Sequence, residues 1–474
     1  MFTYIQYVNA EEPSWKVWPY AMVANNPDMT FPGAEAAHLQ YQGDAWFVTG
    51  RLQGTLSNIT YHFCNIFNRI AIGVSILNFY QASIFNVDSG DYSTYTEYDY
   101  PVVNLLLPKL QNSYTELTLS FRTMYGNATW NHTTFNNGSY IPFVYQVHLS
   151  GVDKQGRNFL IDLKIDPMKY PSPYGGNTLN GRFTFYDQPN TLSWFETGLE
   201  LNGTVTWGDI TEPVVGSTGH IDRQYFPLYA GIFSPTGRQV SHIWYQVNLA
   251  NGVDLSIWIQ YRRYEANKIV PTIGITTYEP NGNPINQFAT DINITFLSFI
   301  KYPNTSSTFF PPPSQNRWLP GITVIQCPSL NMILTSTYST KIPAVDLPVE
   351  YFEGPSYFAG TFRGESVDGT GIQESTLALY RDWELLNVLQ ISAQNLSPES
   401  FNLTGPNAEK LVQVINVLSN YVNPNPLLEN RLVAASYASD QVLPAINTLI
   451  NVQDKEHLTE IYNDFYTSLS VPLQ

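Results

Sequence analysis

Apolar and polar residues alternate with a period of two, broken by turn residues, through most of the chain up to about residue 385. That pattern commits those segments to half-buried antiparallel strands. In segment 116–121, Leu117, Leu119 and Phe121 share one face. Segments 145–149 and 159–165 alternate likewise, and Asp153-Lys-Gln-Gly-Arg157 between them supplies a turn. The same grammar returns at 244–249 and 253–259, joined by Asn251-Gly252. Asn-Gly between alternating runs predicts a tight hairpin turn with positive φ at both central residues. Tyr145-Gln-Val-His-Leu149 and Tyr245-Gln-Val-Asn-Leu249 are near-identical. A duplicated β unit and chance in a Tyr-rich chain both account for them. Aromatics reach 14 % (32 Tyr, 26 Phe, 10 Trp), which suits sheets and cavities walled by flat side chains.

Proline-rich breaks fall at Tyr170-Pro-Ser-Pro-Tyr-Gly-Gly176 and at 301–321, which holds Pro311-Pro-Pro313. The first is expected to be a domain boundary and the second a long loop inside the second domain. After about residue 390 the pattern turns helical. Pro406 suits a first helical position, and Leu411, Val414, Ile415 and Leu418 follow at helical spacing until 423–426 ends the run. Asp454 is expected to cap a further helix whose stripe is Leu458, Ile461, Tyr462, Phe465 and Leu469. These stripes are expected to pack on the β domains; a membrane or partner face is the alternative. The expected division is therefore 1–170 and 171–388 for two β domains and 389–474 for a helical extension, consistent with 474 residues being long for one domain.

Composition removes several classes. With 43 % apolar and 13 % charged residues the chain is too apolar to be disordered. Its longest apolar stretch, around Ile70–Phe85, is interrupted by Asn78, Gln81 and Ser83 and falls short of the ~18 clean residues of a spanning helix. A net charge of −16 without any basic stretch speaks against nucleic acid and against an anionic membrane surface. Cys64 and Cys327 are too few for a disulfide framework and are expected to be free, buried thiols. Residues 1–20 lack the basic start and apolar core of a signal peptide. Nine N-x-S/T sequons, at Asn58, Asn127, Asn131, Asn137, Asn202, Asn293, Asn304, Asn395 and Asn402, slightly exceed the about six expected by chance. The expectation is an exported protein seen without its leader, with a cytoplasmic location as the alternative.

Zincin, nucleophile-elbow, P-loop and dinucleotide-binding motifs are missing, and the seven histidines do not pair at metal-ligand spacing. No metal and no cofactor is expected. The densest group of chemical side chains is Gly216-Ser-Thr-Gly-His-Ile-Asp-Arg-Gln-Tyr-Phe226. On a strand, His220, Asp222 and Gln224 share one face, and Ile221, Arg223 and Tyr225 share the other. Three polar groups facing a barrel interior must pair with each other or with a ligand, and a carboxyl there would hold its proton near neutrality. The alternative is a structural Asp222–Arg223 ion pair at a barrel rim. The acidic run from Asp91 through Glu97 to Asp99 reads as a solvated Tyr-rich loop or, alternatively, a cation site.

Several of these residues resemble the carotenoid 1,2-hydratase (hydroxyneurosporene synthase) family, which includes lipocalin-like secreted hydrolases and kievitone hydratases. His38 followed by Gly43-Asp-Ala-Trp-Phe-Val-Thr-Gly-Arg-Leu52 is similar to the family's opening signature. Leu201-Asn-Gly-Thr-Val-Thr-Trp207 and Val215–Gln224 are similar to its second, and 317–328 and 351–374 to its closing strands. The likeness runs from about Phe31 to Trp383. His220 and Tyr225 stand where the family usually has tryptophan, and Asp44-Ala45 stands for Glu-Trp. The resemblance implies a mainly β fold of two lipocalin-like antiparallel β-barrels side by side. It also implies a cofactor-independent hydratase, isomerase or cyclase acting on a hydrophobic unsaturated small molecule such as a terpenoid, carotenoid or polyketide. Asp222 matches the motif aspartate, Gln224 the motif glutamine and Trp46 a tryptophan of the opening signature.

In that reading Asp222 donates a proton, and His220 or Gln224 orients it or holds the attacking water. Trp46, Trp207 and Trp244 offer π faces to a developing cation. Arg223, Tyr225 and His242 complete the expected substrate contacts. Two alternatives stand beside it: a lipocalin-like protein that binds a lipid, pigment or glycan without chemistry, and an assembly protein joined through its helical tail.

Overall fold

The computed structural model describes residues 14–72, 75–99, 108–185, 188–227, 240–262, 273–280, 286–301, 318–338, 351–376, 381–401, 408–422 and 427–470. Most of the loop expected at 301–321, together with Pro406, the 423–426 run and the sequons at Asn304 and Asn402, lies outside them.

The chain is mainly β, with a nearly closed barrel, a half-barrel sheet and C-terminal helices. The first sheet is built from β1 (Gly43–Gly54), β2 (Thr60–Ile72), β3 (Ser75–Asn86), β4 (Tyr92–Asp99), β5 (Leu110–Asn112), β6 (Thr118–Thr123), β7 (Gly126–Thr134), β8 (Tyr140–Val152), β9 (Asn158–Pro167), β10 (Gln188–Thr197), β11 (Leu199–Trp207) and β12 (Ile210–Phe226). Their spatial order is β4-β3-β2-β1-β12-β11-β9-β8-β7-β6-β5, and β10 pairs with the second half of β12. The second sheet comprises β13 (Val240–Leu249), β14 (Asp254–Arg262), β15 (Ile275–Tyr278), β16 (Phe288–Ala289), β17 (Asn293–Phe296), β18 (Thr323–Cys327), β19 (Met332–Tyr338), β20 (Tyr351–Phe362) and β21 (Glu365–Thr376), in the order β16-β15-β14-β13-β21-β20-β19-β18-β17. Sheet membership changes between Phe226 and Val240, and the boundary expected at 170/171 falls within the first sheet.

The expected hairpins form where the turn chemistry allows. Asp153–Arg157 closes β8 on β9, with Gly156 at φ 81°. At Asn251-Gly252 only Gly252 takes a positive φ, 85°, so the turn is a longer one closed between Leu249 and Val253 rather than the expected two-residue turn. Tyr145, Val147 and Leu149 on β8 face the first barrel's core, and Tyr245, Val247 and Leu249 on β13 face the second sheet's core. The two similar pentamers thus occupy matching places, each on the first strand of a hairpin.

A third apolar layer lies between the sheets. Phe47, Cys64, Phe195 and Phe226 from the outer wall of the first barrel meet Trp244, Trp258, Tyr278 and Tyr351 of the second sheet. Each such aromatic removed from water contributes about 1.5–3 kcal/mol, so this layer ties the two sheets together. The first barrel's interior is filled by its own strands and by the N-terminal segment, which inserts Trp15, Met29, Phe31 and Ala34.

Helices α1 (Asp382–Gln394), α2 (Ala408–Asn416), α3 (Leu428–Tyr437) and α4 (Val452–Ser468) follow. The expected stripes are buried, against each other and against Phe299 and Trp318. Asn451, not Asp454, caps α4, accepting the Asp454 N–H through its side chain; Asp454 instead receives the Ser400 hydroxyl. Among the described residues no helix is long and apolar enough to cross a membrane.

Candidate active site

β12 is the strand on which the site rests. It shifts register against β1 between Val215 and Thr218. A Cβ at Gly216 would lie 2.2 Å from the Arg51 carbonyl oxygen, and one at Gly219 would lie 2.5 Å from that of Thr49. Glycine there lets the strand lie against β1 and continue between β1 and β10, where Asp222 pairs with Phe47 and Phe195.

Asp222 is buried in the layer between the sheets. Gln224 Nε2 donates to its Oδ2 at 2.7 Å and Ser193 Oγ to its Oδ1 at 3.3 Å. Burial pushes the carboxyl well above the ordinary range and the nearby Glu374 pushes it further, outweighing those two donors. Burial thus favours the protonated form of Asp222. His220, also fully buried, stands edge-on to Trp244 at 4.8 Å and lies 5.3 Å from Phe47. Among the described residues neither of its ring nitrogens has a hydrogen-bond partner. Burial, with His62 nearby, holds it well below the usual imidazole range, so it is neutral.

The opposing wall belongs to the second sheet. His242 Nε2 lies 2.7 Å from Glu374 Oε1, and its ring stacks on Trp258 at 5.1 Å. Trp244 donates through Nε1 to Ser256 Oγ at 2.9 Å. Glu353 stands directly opposite Glu374 in the β20–β21 register. Its Oε2 accepts from Cys64 Sγ at 2.7 Å and Tyr351 Oη at 3.1 Å, and its Oε1 has no partner among the described residues. Beside His220, between Arg51, His62, Gln246 and Asn248, lies a cavity of about 10 Å3, room for about one water molecule.

The structure thus brings Asp222, His220, Gln224, Trp244 and His242 together, but not where the alternation suggested. The polar face of β12 looks out of the first barrel onto the second sheet; Ile221 and Tyr225 look inward. Arg223 goes inward too. Its Nη2 lies 2.8 Å from Asp44 Oδ1 and donates to the Ala36 carbonyl, and its guanidinium sits 4.1 Å over Trp46. The suggested Asp222–Arg223 pair does not form. Even so, burial outweighs the guanidinium and holds Asp44 above its ordinary range. Trp46 donates to the Glu35 carbonyl, Tyr225 accepts from Trp194 and donates to Ala34, and Trp207 donates to Ser93 beneath Arg157. These four side chains are parts of the first barrel's interior.

Glu374, Glu353, Cys64 and Ser193 were not singled out from the sequence. The signal for the two glutamates was a lone carboxylate in each of two otherwise uncharged runs, Tyr351-Phe-Glu-Gly354 and Gly371-Ile-Gln-Glu374. The acidic run at 91–99 belongs largely to strand β4. Asp91 pairs with Arg157, Glu97 with Lys109, and Asp99 takes the Asn78 amide. Among the described residues no group of His, Cys, Asp and Glu assembles as a metal site. Cys64 and Cys327 are free and buried.

Comparison with solved structures places this fold beside that of a Nitrosomonas europaea protein provisionally designated AttH, at 15 % identity over 75 % of this chain and 98 % of that one, with a TM-score of 0.52. Kievitone hydratase from Nectria haematococca aligns at 15 % identity over 72 % of this chain and 93 % of that one, with a TM-score of 0.49. The protein CghA aligns at 8 % identity over 77 % and 95 %, with a TM-score of 0.38. No family model and no curated protein sequence matches the chain. At these identities the likeness is one of fold.

Proposed function

We propose that the protein is a hydratase-, isomerase- or cyclase-type enzyme that protonates a hydrophobic unsaturated small molecule, with Asp222 as the general acid and no cofactor in the scheme. The observation that carries this is a buried carboxyl, kept neutral by burial, in a layer walled by Trp244, Trp258, Phe47 and Phe195. Aromatic walls favour an apolar ligand, and their π faces stabilise positive charge as it develops. The sequence resemblance to the carotenoid hydratase family points the same way.

In the hydration form of the scheme, the Asp222 proton and the alkene π pair make a new C–H bond and leave a carbocation beside Trp244. A water lone pair then makes the C–O bond, and the oxonium so formed passes its surplus proton to a carboxylate of the same layer. Neutral His220, with two free ring nitrogens, holds that water, while Gln224 and Ser193 fix the Asp222 carboxyl. Without water the same cation loses a neighbouring proton or is captured by a second double bond, giving isomerisation or cyclisation.

Mass spectrometry of an organic extract of the natively purified protein identifies the retained molecule, which is then incubated with wild type and Asp222→Asn. Turnover is expected to fall about 10²–10⁴-fold in the variant, with ligand affinity held within a few-fold. A wild-type protein that retains such a molecule and never converts it is a binding protein, and the acid role of Asp222 then fails.

A further inference from the structure

The catalytic scheme leaves two buried carboxyls unused. Glu353 and Glu374 face each other across β20 and β21. Directly opposed residues of an antiparallel pair share a face, with Cβ atoms about 4.5–5.5 Å apart. Two carboxyls on one face of a largely buried layer repel when both are charged, and Glu374 accordingly favours the protonated form of Glu353. Glu374 is partly open to solvent, and its Oε1 meets the imidazole of His242. Glu353 is fully buried, and both of its donors, Cys64 from β2 and Tyr351 from its own strand, address Oε2. Among the described residues nothing donates to Oε1, the oxygen left uncompensated in a carboxylate and protonated in an acid. Burial first, then Glu374 and Asp222, push Glu353 well above the ordinary range.

We propose that Glu353 and Glu374 form a charge-coupled pair in which Glu353 keeps its proton, and that Glu374 accepts the proton released in the reaction that Asp222 begins. The proposal rests on the functional reading above and deepens it. Asp222 protonates carbon from the wall of the first barrel. The attacking water gives its proton to Glu374 on the second sheet; Glu374, partly open to solvent, releases that proton to it, and Asp222 is reprotonated from solvent before the next turnover. Glu353 is a positioning residue: it keeps its proton so that a single negative charge is concentrated on Glu374.

Infrared difference spectra of Asp222→Asn, Glu353→Gln and Glu374→Gln against wild type, each checked for native circular dichroism, count the protonated carboxyls without any substrate. Asp222→Asn and Glu353→Gln are each expected to remove one protonated-carboxyl band at neutral pH. Glu374→Gln is expected to remove none and to lower the pH at which the Glu353 band disappears. If Glu353→Gln removes no band, or if Glu374→Gln leaves that pH unmoved, the pair is overturned. A Glu353 band without an Asp222 band overturns the acid reading and leaves the pair intact. Should Glu353→Gln fail to fold, the Cys64 S–H stretch reports on its acceptor in the unaltered protein. It is expected to shift only at alkaline pH, and a shift near the ordinary carboxyl range, about pH 4, overturns the proposal.

Discussion

Asp222 and Asp44 sit on neighbouring strands and are both buried, yet one meets a guanidinium and the other an amide and a hydroxyl. The consequence for Asp222 is a proton that it binds more tightly folded than unfolded. Its folded value lies above the unfolded one of about 3.9. The native state therefore binds more protons over that interval, and stability falls as pH rises from about 4 towards the folded value. Asp222→Asn removes that loss. Calorimetry from acid to mildly alkaline pH is expected to show the variant gaining in Tm on wild type steadily as pH rises; a constant difference would contradict the assignment. Arg223 makes the opposite case. Arg223→Met leaves Asp44 buried without its cation and is expected to cost about 3–5 kcal/mol in urea unfolding, most of it recovered when Asp44→Asn is added. Equal losses in the single and double variants would show that the pair contributes little.

Much of this was legible residue by residue, because strand parity alone separates Asp222 from Arg223. Which face was inside was not legible. β12 is covered by the barrel core on one side and by the second sheet on the other, so both faces are buried and alternation no longer marks the interior. Trp46 and Trp207 were read as cation-facing walls for the same reason. A buried tryptophan whose N–H finds a backbone or hydroxyl acceptor looks no different in sequence from one that lines a site.

At the level of elements, the site depends on β12 lying close enough to β1 to present its polar face. Gly219→Ala places a methyl 2.5 Å from a backbone oxygen and is expected to cost about 1–3 kcal/mol as the strands separate. The perturbation should reach the His220 ring resonance next to it, and an unmoved resonance with unchanged stability would show that the approach is not needed. The cap of α4 illustrates what spacing can and cannot say. The helix and its stripe follow from periodicity, but periodicity does not fix the first turn, and Asn451 rather than Asp454 reaches an open N–H group. Asn451→Ala is expected to cost about 1 kcal/mol by thermal unfolding. An unchanged Tm would show that Asn451 does not carry the cap.

Across the whole molecule, the two sheets share a layer that neither could leave exposed. The alternating segments predicted the strands within each sheet. They did not predict that β12 pairs with β1 on one side and β10 on the other, since pairings between strands distant in sequence leave no local mark. Trp244→Ala removes a large side chain from the shared layer and is expected to cost about 3–5 kcal/mol. Hydrogen exchange should then accelerate in β1 and β12 as well as in β13, and acceleration confined to β13 would mean that the sheets are held independently.

The central claim is that Asp222 is a carboxylic acid, with its proton in place, at neutral pH. Carboxyl-carbon NMR of protein labelled at aspartate, titrated from acid to alkaline pH and assigned by comparison with Asp222→Asn, reads this directly. The account requires one aspartate resonance, absent from the variant, to keep its protonated shift through neutrality and to titrate only above it. An Asp222 resonance that titrates near 4, like an ordinary surface carboxyl, would contradict it.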